Sequence, residues 1–475
     1  MKATEKPTGA TQAEIELIHR KTLDLLEYAG IWVMSEKTRD IFKKHGFRVD
    51  GETVYYTGRQ VEDAIKTCPS EFRIRARNSK HDLLINKENV YYYPGSTCAF
   101  IRDFDGTIRT SSSDDVKNLF KLCQMIPEIN CTSELVTSSA DIDPADTRLY
   151  NSLLALKMTD KVNTFSTAEP IELVALLYGK SKEQMREESH KGVTYMLSNI
   201  SPKSPMTMIP SHGELVITAS EYGQPLIITP MAMAGLTAPC TLPGVIVQTN
   251  AEILATLVLS QLVNPGNPLF YAVISTIVNM KKLLPLGCCP ETSIINRVGV
   301  QMADYYGLPT RADTSTLSNT MGFQAGAESA FSLVNSVRSG GNLIKGLGSF
   351  SGTNAGSFEK LVLDADLVSY MNRLLRPLEF TEETMAVDLI KRVAPHGNFL
   401  GEDHTLDHYM EEFCVPDVFL IESLQDWQAK GSRDVLEPAH RKVNELIDNY
   451  VRPDMDRSVE KDLEKFCEEH YHSRR

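Results

Sequence analysis

The sequence lacks an excess of positive charge. Its 62 acidic and 49 basic side chains give a formal net charge of −13 at pH 7. Proteins that bind nucleic acids or anionic membranes usually present a basic surface, so we expect neither kind of partner. The sequence also lacks an uninterrupted apolar run of bilayer-spanning length, and no basic stretch followed by an apolar one opens it. We therefore expect no membrane span and no secretory signal.

Cysteine is sparse and scattered. The chain has nine cysteines, an odd number, without the regular spacing of a disulfide-stapled protein, and this pattern favours a reducing cytoplasm. The adjacent Cys288 and Cys289 are too close to chelate one tetrahedral zinc ion. His404 and His408 have i, i+4 spacing, but a polar loop that leads into a helix explains them better. We predict that the protein binds no metal directly.

Motifs for nucleophilic catalysis are also missing. A GxSxG elbow would support a serine nucleophile, but "LGSFSG" resembles that motif only in composition. Cys123, Cys131 and Cys240 are each interpreted as a small apolar residue of the core rather than as a nucleophile. No GxGxxG follows the first strand of the regular region described below, which weakens the case for a dinucleotide-binding fold.

The first part of the chain alternates short helices with short strands. Thr11 to Glu14 has the capping-box form, and apolar residues at helical spacing follow it until Gly30. A second short helix is predicted over residues 35–46, and strand-like fragments such as "EFRIRAR" and "YYYPG" continue to about Thr110. We interpret residues 1–112 as a separate α+β cap segment.

From residue 113 onward, short apolar runs alternate with amphipathic stretches of helical length, which is typical of a parallel sheet built from βα units. Eight such strands within residues 113–475 predict an α/β fold of the (β/α)8 TIM-barrel type with C-terminal helices. An open doubly wound sheet is the alternative. The predicted strands begin at Ile129, Lys161, Pro205, Pro225, Pro268, Leu308 and Asn342, with a weaker eighth at Arg392.

In such a barrel the functional residues lie at the carboxyl ends of the strands, where the stretch "GLGSFSGTNAGS" would follow the seventh strand. Its glycines allow two interpretations. Their N–H groups would suit a phosphate, although only Lys345 is near and Phe350 would obstruct an anion. Alternatively, the glycines clear space at the barrel mouth and Phe350 joins other rings around a quaternary ammonium ion. The rings considered are Tyr91, Tyr92, Tyr93, Phe100, Phe104, Tyr271 and Phe323.

Long motifs favour the second interpretation. They include "PMAMAGLTAPCTLPGVIVQTNAEILATLVLSQLVNPGNPLFYA", "CCPETSIINRVGVQMADYYGLPTRADTST" and "LGSFSGTNAGSFEKLVLDADLV", together with "CPSEFRIRARN" in the cap segment. With these stretches the chain resembles the trimethylamine methyltransferase family, specifically its members without pyrrolysine, over nearly its whole length. The resemblance implies a TIM barrel that passes a methyl group from a methylated amine to the cobalt of a separate corrinoid protein.

The resemblance also restricts the substrate. Pyrrolysine-containing members act on trimethylamine, whereas this chain has only standard residues, including near the glycine-rich turn where pyrrolysine is expected. Members without pyrrolysine resemble demethylases of quaternary amines, so glycine betaine, proline betaine, carnitine or butyrobetaine is the expected substrate. A quaternary nitrogen already bears its positive charge, and the enzyme mainly has to align the N–CH3 bond with cobalt. The missing nucleophile motif agrees with this mechanism.

The resemblance assigns expected roles to residues at the barrel mouth. The corrinoid, carried by its partner protein, is expected to face Gly346, Gly348, Ser349, Gly352, Asn354 and Gly356. The expected substrate-binding residues are Phe350, Glu169, His212, Tyr93, Phe100, Tyr271, Asp313, Glu291 and Arg311. A carboxylate among them would offset the ammonium charge, while His212 or Arg311 would meet a substrate carboxylate. Glu169 and Glu291 have an alternative role at the starts of helices.

Two other functions remain open at this stage. A phosphate-handling barrel enzyme would bind phosphate at residues 348–352 and need no corrinoid partner. A non-catalytic protein would bind a betaine without moving its methyl group. The oligomeric state is not specified by the sequence, and a homo-oligomer is the general expectation for a barrel with exposed helices.

Overall fold

The computed structural model describes residues 9–95 and 98–472. Its centre is a sheet of eight parallel strands. The two strands at the edges of this sheet, Tyr91–Pro94 and Cys131–Ser133, lie side by side and nearly close it into a barrel. The Asn130 N–H donates to the Tyr92 carbonyl oxygen at 2.8 Å across this junction. The predicted α/β barrel is therefore confirmed. The strands are β1 (Tyr91–Pro94), β2 (Cys131–Ser133), β3 (Val162–Phe165), β4 (Leu197–Ile200), β5 (Leu226–Ile228), β6 (Leu269–Val273), β7 (Thr310–Asp313) and β8 (Leu343–Leu347).

Three strand assignments differ from the prediction. β1 lies within the predicted cap segment, where its "YYYP" sequence pairs in parallel with β8. The weak strand predicted at Arg392 is wrong, because Arg392 and Val393 end helix Val387–Val393 and residues 394–400 form turns and irregular structure. The third predicted strand, beginning at Pro205, is also misplaced: β4 supplies the barrel strand, and Thr207–Met208 pairs instead with Ile31–Val33. The proposed domain boundary at residue 112 stays a prediction, although the barrel takes one strand from before it.

Four small sheets surround the barrel. One combines Thr207–Met208, Ile31–Val33, Thr53–Tyr55 and Arg48–Asp50, and a second combines Val193–Thr194, Phe72–Ile74 and Leu83–Ile85. A third contains Met233–Ala234, Thr276–Asn279 and Leu284–Pro285. The fourth contains Ser349–Phe350, Ala355–Gly356, Phe100–Arg102 and Ile108–Thr110. The third lies on loops that follow β5 and β6, and the fourth lies on loops that follow β1 and β8, so both are at the carboxyl end of the barrel.

The amino end of the barrel is plugged by the second small sheet. Phe72, Ile74, Leu83 and Ile85 are buried and form one apolar cluster with inward-facing residues of the barrel strands. The rings of Phe72 and Phe270 meet edge to face, with centroids 5.5 Å apart. A ligand therefore reaches the barrel interior from the carboxyl end.

The helices pack around the barrel and follow the capping signals of the sequence. The Thr11 capping box begins the first helix, and Gly30 follows it with a φ of 66°. Gly307, in the left-handed conformation, ends the helix that Pro290 begins. The helices are Gln12–Tyr28, Glu36–Lys44, Gly58–Thr67, Ser113–Met125, Thr147–Met158, Glu169–Leu177, Lys182–Ser189, Pro210–Glu221, Leu242–Val263, Pro290–Tyr306, Phe323–Arg338, Phe358–Leu375, Glu382–Met385, Val387–Val393, Asp403–Glu412, Leu424–Ala429, Leu436–Asp448 and Arg457–His470, with a 3-10 turn at Ser79–His81.

Among the described helices, Leu242–Val263 alone is long and apolar enough to cross a bilayer by length and composition. Of its most apolar stretch, 78% is buried within the protein. It packs against Gln12–Tyr28, Gly58–Thr67 and Pro210–Glu221, as the core helix of a globular protein does.

Candidate active site

A cavity of about 250 Å³ opens at the carboxyl end of the barrel. Its size suits a small molecule, and its wall mixes apolar side chains with a few polar ones, as ligand sites usually do. The lining residues are Gly95, Leu135, Asn199, Ser201, Met231, Ile274, Thr276, Pro285, Gly287, Thr292, Asn296, Arg311, Asp313, Ser315, Leu317, Lys345, Gly346, Gly352 and Thr353.

The register of three neighbouring strands brings ionisable side chains together in this cavity. Asp313 of β7 is paired with Lys345 of β8, and Lys345 is paired with Tyr93 of β1. Paired residues on adjacent strands lie side by side on the same face of a sheet. Arg311, two residues before Asp313, faces the same interior one layer deeper. Four ionisable side chains thus converge on one sector of the barrel.

Arg311 and Asp313 form an ion pair at the base of the cavity. Arg311 Nη2 lies 2.5 Å from Asp313 Oδ1, and the Arg311 side chain is 2% exposed against 31% for Asp313. Burial opposes the charge of Arg311, but its interactions with Asp313 and the nearby Tyr93 outweigh the effect of burial and raise the pKa of Arg311. The Tyr93 hydroxyl and Arg311 Nε are buried and make no well-formed hydrogen bond to the protein. Arg311 stays charged, and its Nε and the Tyr93 hydroxyl have unused hydrogen-bonding capacity.

Lys345 is the cation that this pair does not neutralise. Burial, together with the charge of Arg311, lowers the pKa of Lys345 to about 8, against opposing effects of Asp313 and Glu134. Within the described chain, its ammonium group has neither a hydrogen bond nor an ion pair. Arg311, Asp313 and protonated Lys345 therefore leave one net positive charge in the cavity. That charge is complementary to an anionic group of a ligand.

A buried glutamate lies behind the wall. Glu134 follows β2, directly before the lining residue Leu135, and accepts hydrogen bonds from Ser166 Oγ at 2.5 Å and Ser133 Oγ at 3.3 Å. Arg148 Nη1 donates to the Ser166 oxygen at 2.8 Å. Burial raises the pKa of Glu134, although Ser166 and Arg148 oppose the shift. This network fixes the loop after β2.

The helix Pro290–Tyr306 supplies a polar side to the cavity. Thr292 and Asn296, four residues apart, both line it. Thr292 is held by the Leu286 carbonyl oxygen at 2.9 Å, whereas Asn296 Oδ1 is buried without a hydrogen-bond partner. An unpartnered buried amide oxygen costs stability unless a ligand or water meets it. Asn296 is therefore available to a bound substrate.

The glycine-rich stretch folds into a hairpin whose tip reaches the cavity. Ser349–Phe350 pairs with Ala355–Gly356, and three successive residues at the tip have positive φ angles between 54° and 73°. Gly346 and Gly352 line the cavity, and Asn354 is exposed near the tip. Gly348, Ser349 and Gly356 are buried, so these three do not face outward as expected.

Three N–H groups of the glycine-rich hairpin already donate hydrogen bonds within the protein. Gly348 donates to Asp364 Oδ2 at 2.8 Å, Ser351 to the Ser318 carbonyl oxygen at 2.9 Å, and Gly352 to the Thr316 carbonyl oxygen at 2.9 Å. A phosphate cradle needs free N–H groups that converge on the anion. The structure therefore disfavours the phosphate interpretation of this stretch.

The expected aromatic residues are not on the cavity wall. No aromatic ring is among the lining residues of the described chain. Phe350 is fully buried beneath the hairpin, and Phe100 lies on the small outer sheet with its ring exposed. Tyr271 points away from the barrel interior, because alternate residues of a strand face opposite sides, and its hydroxyl donates to Asn250 Oδ1 at 3.1 Å. These placements correct the expected ammonium cage.

Three expected polar residues also lie outside the cavity wall. Glu169 is exposed in the first turn of helix Glu169–Leu177, and Glu291 is in the first turn of helix Pro290–Tyr306. Both positions fit the alternative role at helix starts. His212, near the start of helix Pro210–Glu221, has a buried, unpartnered Nδ1, and burial with the nearby charge of Arg148 lowers its pKa. Arg311, Asp313, Gly346 and Gly352 are the expected residues that the cavity brings together, with Tyr93 beside them.

Three parts of the cavity were not predicted. Lys345 was noted only as a cation near the turn, although its place opposite Asp313 follows from aligning β7 with β8. Asn199 and Ser201 were missed because the strand that corresponds to β4 was predicted to begin at Pro205, after both residues. Thr292 and Asn296 have the i, i+4 spacing of one helix face, and that spacing is a usable signal.

The family comparison decides the class of the protein. The model of the family described as trimethylamine methyltransferase (MTTB) matches residues 5–473. The chain belongs to this family. It is therefore a methyltransferase, and the resemblance inferred from the long barrel motifs is confirmed.

Relatives within and beyond the family agree with the fold. The glycine betaine methyltransferase of Desulfitobacterium hafniense (strain Y51) is 29% identical over 465 residues, covering 96% of this chain and 95% of the relative. The trimethylamine methyltransferase MttB of Methanosarcina barkeri (strain Fusaro / DSM 804) is 29% identical, covering 96% and 93%. The crystal structure of the hydroxylamine MtmB complex has a TM-score of 0.50 at 12% identity, covering 92% of this chain and 94% of that one, and shows the fold alone.

Proposed function

We propose that this methyltransferase moves a methyl group from a betaine-type quaternary amine to the Co(I) centre of a cognate corrinoid protein. The observation that supports a betaine is the Lys345 ammonium in the cavity, which has no hydrogen-bond or ion-pair partner among residues 9–95 and 98–472. Trimethylamine has no anionic group, and in its protonated form it would be repelled by the net positive charge of the site. Glycine betaine, proline betaine, carnitine and butyrobetaine each have a carboxylate that would meet Lys345, with Arg311 one layer deeper.

The ammonium end of the substrate is expected to lie nearer the mouth. Asp313 is partly exposed to the cavity, and its carboxylate would offset the positive charge of the nitrogen. Met231, Ile274 and Leu317 supply apolar wall against which N-methyl groups pack. This orientation directs one methyl group outward, where the second substrate arrives.

The residues of this chain then have to position and shield the substrate rather than react with it. The N–CH3 bond breaks, its electron pair stays on nitrogen, and the amine leaves uncharged. The corrinoid, when its carrier is bound, supplies a Co(I) nucleophile that accepts the methyl group. Asp313 stabilises the cation before transfer, and Lys345 holds the carboxylate so that the N–CH3 bond keeps its direction.

The mouth fits an approaching corrinoid and its carrier. The side chain of Met231 is both on the cavity wall and exposed, and the hairpin tip at Gly352 has room around it, since an added Cβ would meet only Leu317 at 3.4 Å. The wall thus opens directly onto a surface that another molecule can cover. The nine free thiols agree with a reducing cytoplasm, which we propose as the location.

Methylation of cobalt tests this proposal. The purified protein is mixed with free cob(I)alamin and, separately, with each betaine or trimethylamine, and the Co(I) absorption is followed. We expect one betaine to be a methyl donor and trimethylamine not to be. The Lys345→Gln variant should raise the KM for that betaine by about 10- to 100-fold, because a hydrogen bond between charged groups contributes about 1.5–3 kcal/mol.

The Lys345→Arg variant is the matched control, because it retains the positive charge and should recover part of the affinity. Methylation from trimethylamine at a rate equal to that from any betaine, or an unchanged KM in Lys345→Gln, would contradict the assignment of a betaine. Tight binding of a betaine without methylation of reduced cobalt would contradict the proposed transfer of its methyl group to cobalt.

A further inference from the structure

A hairpin at the barrel mouth presents an apolar and basic tip. The strands Thr276–Asn279 and Leu284–Pro285 are antiparallel, and residues 280–283 join them. We call residues 276–285 the mouth hairpin. Thr276 and Pro285 at its base line the substrate cavity. At about 3.3 Å per residue along a strand, Asn279 at the start of the tip lies about 10 Å from Thr276.

The tip exposes large apolar side chains. Met280, Leu283 and Leu284 are 61%, 62% and 56% exposed, and Leu236 on the neighbouring loop is 54% exposed. Gly235 is packed so closely beneath the tip that an added Cβ would lie 2.9 Å from Met280 Sδ. The two loops thus form one apolar surface beside the mouth. Adjacent exposed apolar side chains of this kind mark interaction sites.

The tip is also held in one conformation. Asn279 Oδ1 accepts hydrogen bonds from the N–H groups of Lys281 at 3.1 Å and Lys282 at 3.2 Å. Leu283 has a φ of 54°, in the left-handed region that a leucine rarely adopts. Neither burial nor backbone preference explains an exposed leucine in this conformation. A strained, preformed tip is instead suited to a partner that covers it.

The charge at the tip differs from that of the whole molecule. Lys281 and Lys282 are exposed, and neither forms an ion pair with another described residue, whereas the chain has a net charge of −13. A local basic spot on an acidic protein steers an acidic surface toward this position.

We propose that the mouth hairpin docks the carrier protein, which contacts it through a surface with acidic residues beside its corrinoid. The proposal rests on the function proposed above, in which a second macromolecule must reach the cavity. Met280, Leu283 and Leu284 contribute apolar contact, and the two lysines select the partner and its orientation. The hairpin's base lines the cavity, so docking at its tip brings the carrier next to the substrate methyl group.

The test compares two methyl acceptors. The double variant Lys281→Glu/Lys282→Glu is assayed with the carrier protein and with free cob(I)alamin, which has no protein surface to dock. We expect the KM for the carrier to rise about tenfold or more, and the dependence of that KM on salt to weaken, because rim charges act on association. Methylation of free cob(I)alamin should stay at the wild-type rate, as these lysines do not line the cavity.

Lys80→Glu/Lys87→Glu is the matched control. Both lysines are exposed, and they flank strand Leu83–Ile85 of the sheet that plugs the opposite end of the barrel. This variant has the same charge change as the hairpin variant and should keep the wild-type KM for the carrier. An equal rise in KM for both variants would mean that net charge alone is responsible, and would overturn the docking proposal.

The remaining outcomes separate the two proposals. If the wild-type protein methylates neither acceptor, the proposed function fails. If it methylates both and the hairpin variant keeps its KM for the carrier, the docking proposal fails alone. A second variant, Met280→Ser/Leu284→Ser, tests the apolar contact: loss of a homodimer in sedimentation with an unchanged KM for the carrier would assign the hairpin to a second copy of this chain and overturn the proposal.

Discussion

At the scale of single residues, Lys345 is expected to reduce the stability of the fold. Its pKa falls from 10.5 to about 8 on folding, so between these values the unfolded chain binds more protons than the folded one. Stability therefore rises with pH through this window, and the full penalty is present below pH 8. Lys345→Met should raise the free energy of unfolding at pH 7 by about 1–3 kcal/mol while weakening betaine binding.

Urea unfolding at pH 7 and at pH 10.5 measures this effect. The stability difference between Lys345→Met and wild type should shrink at the higher pH, where the lysine is neutral in the folded protein and about half protonated in the unfolded chain. A variant that is less stable than wild type at pH 7 would show that Lys345 is structural, and its role in the cavity would have to be abandoned.

Asp313 gives a second prediction at this scale. Glycine betaine and 3,3-dimethylbutanoate have the same shape and carboxylate, but only the betaine has a positive charge. The wild-type cavity should prefer the betaine because of Asp313. Asp313→Asn leaves the charge of Arg311 uncompensated and should reduce this preference about 5- to 30-fold, equivalent to about 1–2 kcal/mol. Calorimetric titration of both ligands into both proteins gives the ratio, and an unchanged preference would exclude Asp313 from ammonium recognition.

Position along a strand was enough to place two of the expected residues at the cavity. Asp313 ends β7, Arg311 lies two residues before it, and both line the cavity, while their roles in substrate binding stay a prediction. Lys345 needed the register between β7 and β8, which one sequence does not supply. Tyr271 failed for a related reason: every residue of β6 is buried on both sides of the sheet, so its apolar run does not reveal which side chains face inward.

At the scale of elements, two glycines of the glycine-rich stretch should differ in the cost of substitution by alanine. Gly346 has a φ of 129°, and an added Cβ would lie 1.9 Å from the Thr314 carbonyl oxygen, a backbone atom that cannot yield. Gly352 has a φ of 63°, and its Cβ would meet only Leu317 at 3.4 Å. Gly346→Ala should destabilise the protein by about 2 kcal/mol or more, and Gly352→Ala by roughly 1 kcal/mol.

Thermal unfolding of the two variants distinguishes these costs. Gly352→Ala should stay folded at assay temperature and still bind the betaine, so that a larger side chain at this tip position tests access of the carrier to the cavity. Equal losses of stability in both variants would mean that the Gly346 backbone can move away from Thr314.

Phe350, in the first strand of the glycine-rich hairpin, gives a prediction that differs from the sequence-based interpretation. The sequence suggested that the ring faces the substrate rather than the protein core. The ring is fully buried, so its removal should leave a cavity and cost about 3–5 kcal/mol. Denaturant unfolding measures the loss, and Phe350→Leu, which keeps most of the apolar volume, should restore most of it. Full stability in Phe350→Ala would contradict the packing described here.

Element boundaries were predictable where local signals exist. The capping box at Thr11 and the glycine after Tyr306 define helix ends through contacts within a few residues. The sequence of β1 is short and rich in aromatic residues, like those of the small strands near it in the chain. Its partner β8 is about 250 residues away. Only that long-range pairing separates a barrel strand from a cap strand. The stretch that begins at Arg392 was taken for a strand because its apolar residues are too few to show a clear period, although its first two residues end helix Val387–Val393.

At the scale of the whole molecule, the barrel and the N-terminal segment depend on each other. The segment before residue 112 supplies β1, which bridges β8 and the start of β2, and also the sheet that plugs the amino end. Phe72 and Ile85 cover inward-facing residues such as Phe270. A boundary drawn where the texture of the sequence changes therefore divides one hydrophobic core into two incomplete parts.

This dependence predicts that residues 113–475 do not fold alone. Without β1 the barrel has two open parallel edges, at β2 and β8, and without the plug Phe270 and Leu343 meet water. Exposed edges of this kind pair with other chains, so the fragment should aggregate or remain without fixed packing. Near-UV circular dichroism and the cooperativity of urea unfolding test this. Adding residues 1–112 as a separate chain should restore both signals, because that segment contains the missing strand and plug. A fragment that unfolds cooperatively by itself would instead support the boundary at residue 112 as a true domain limit.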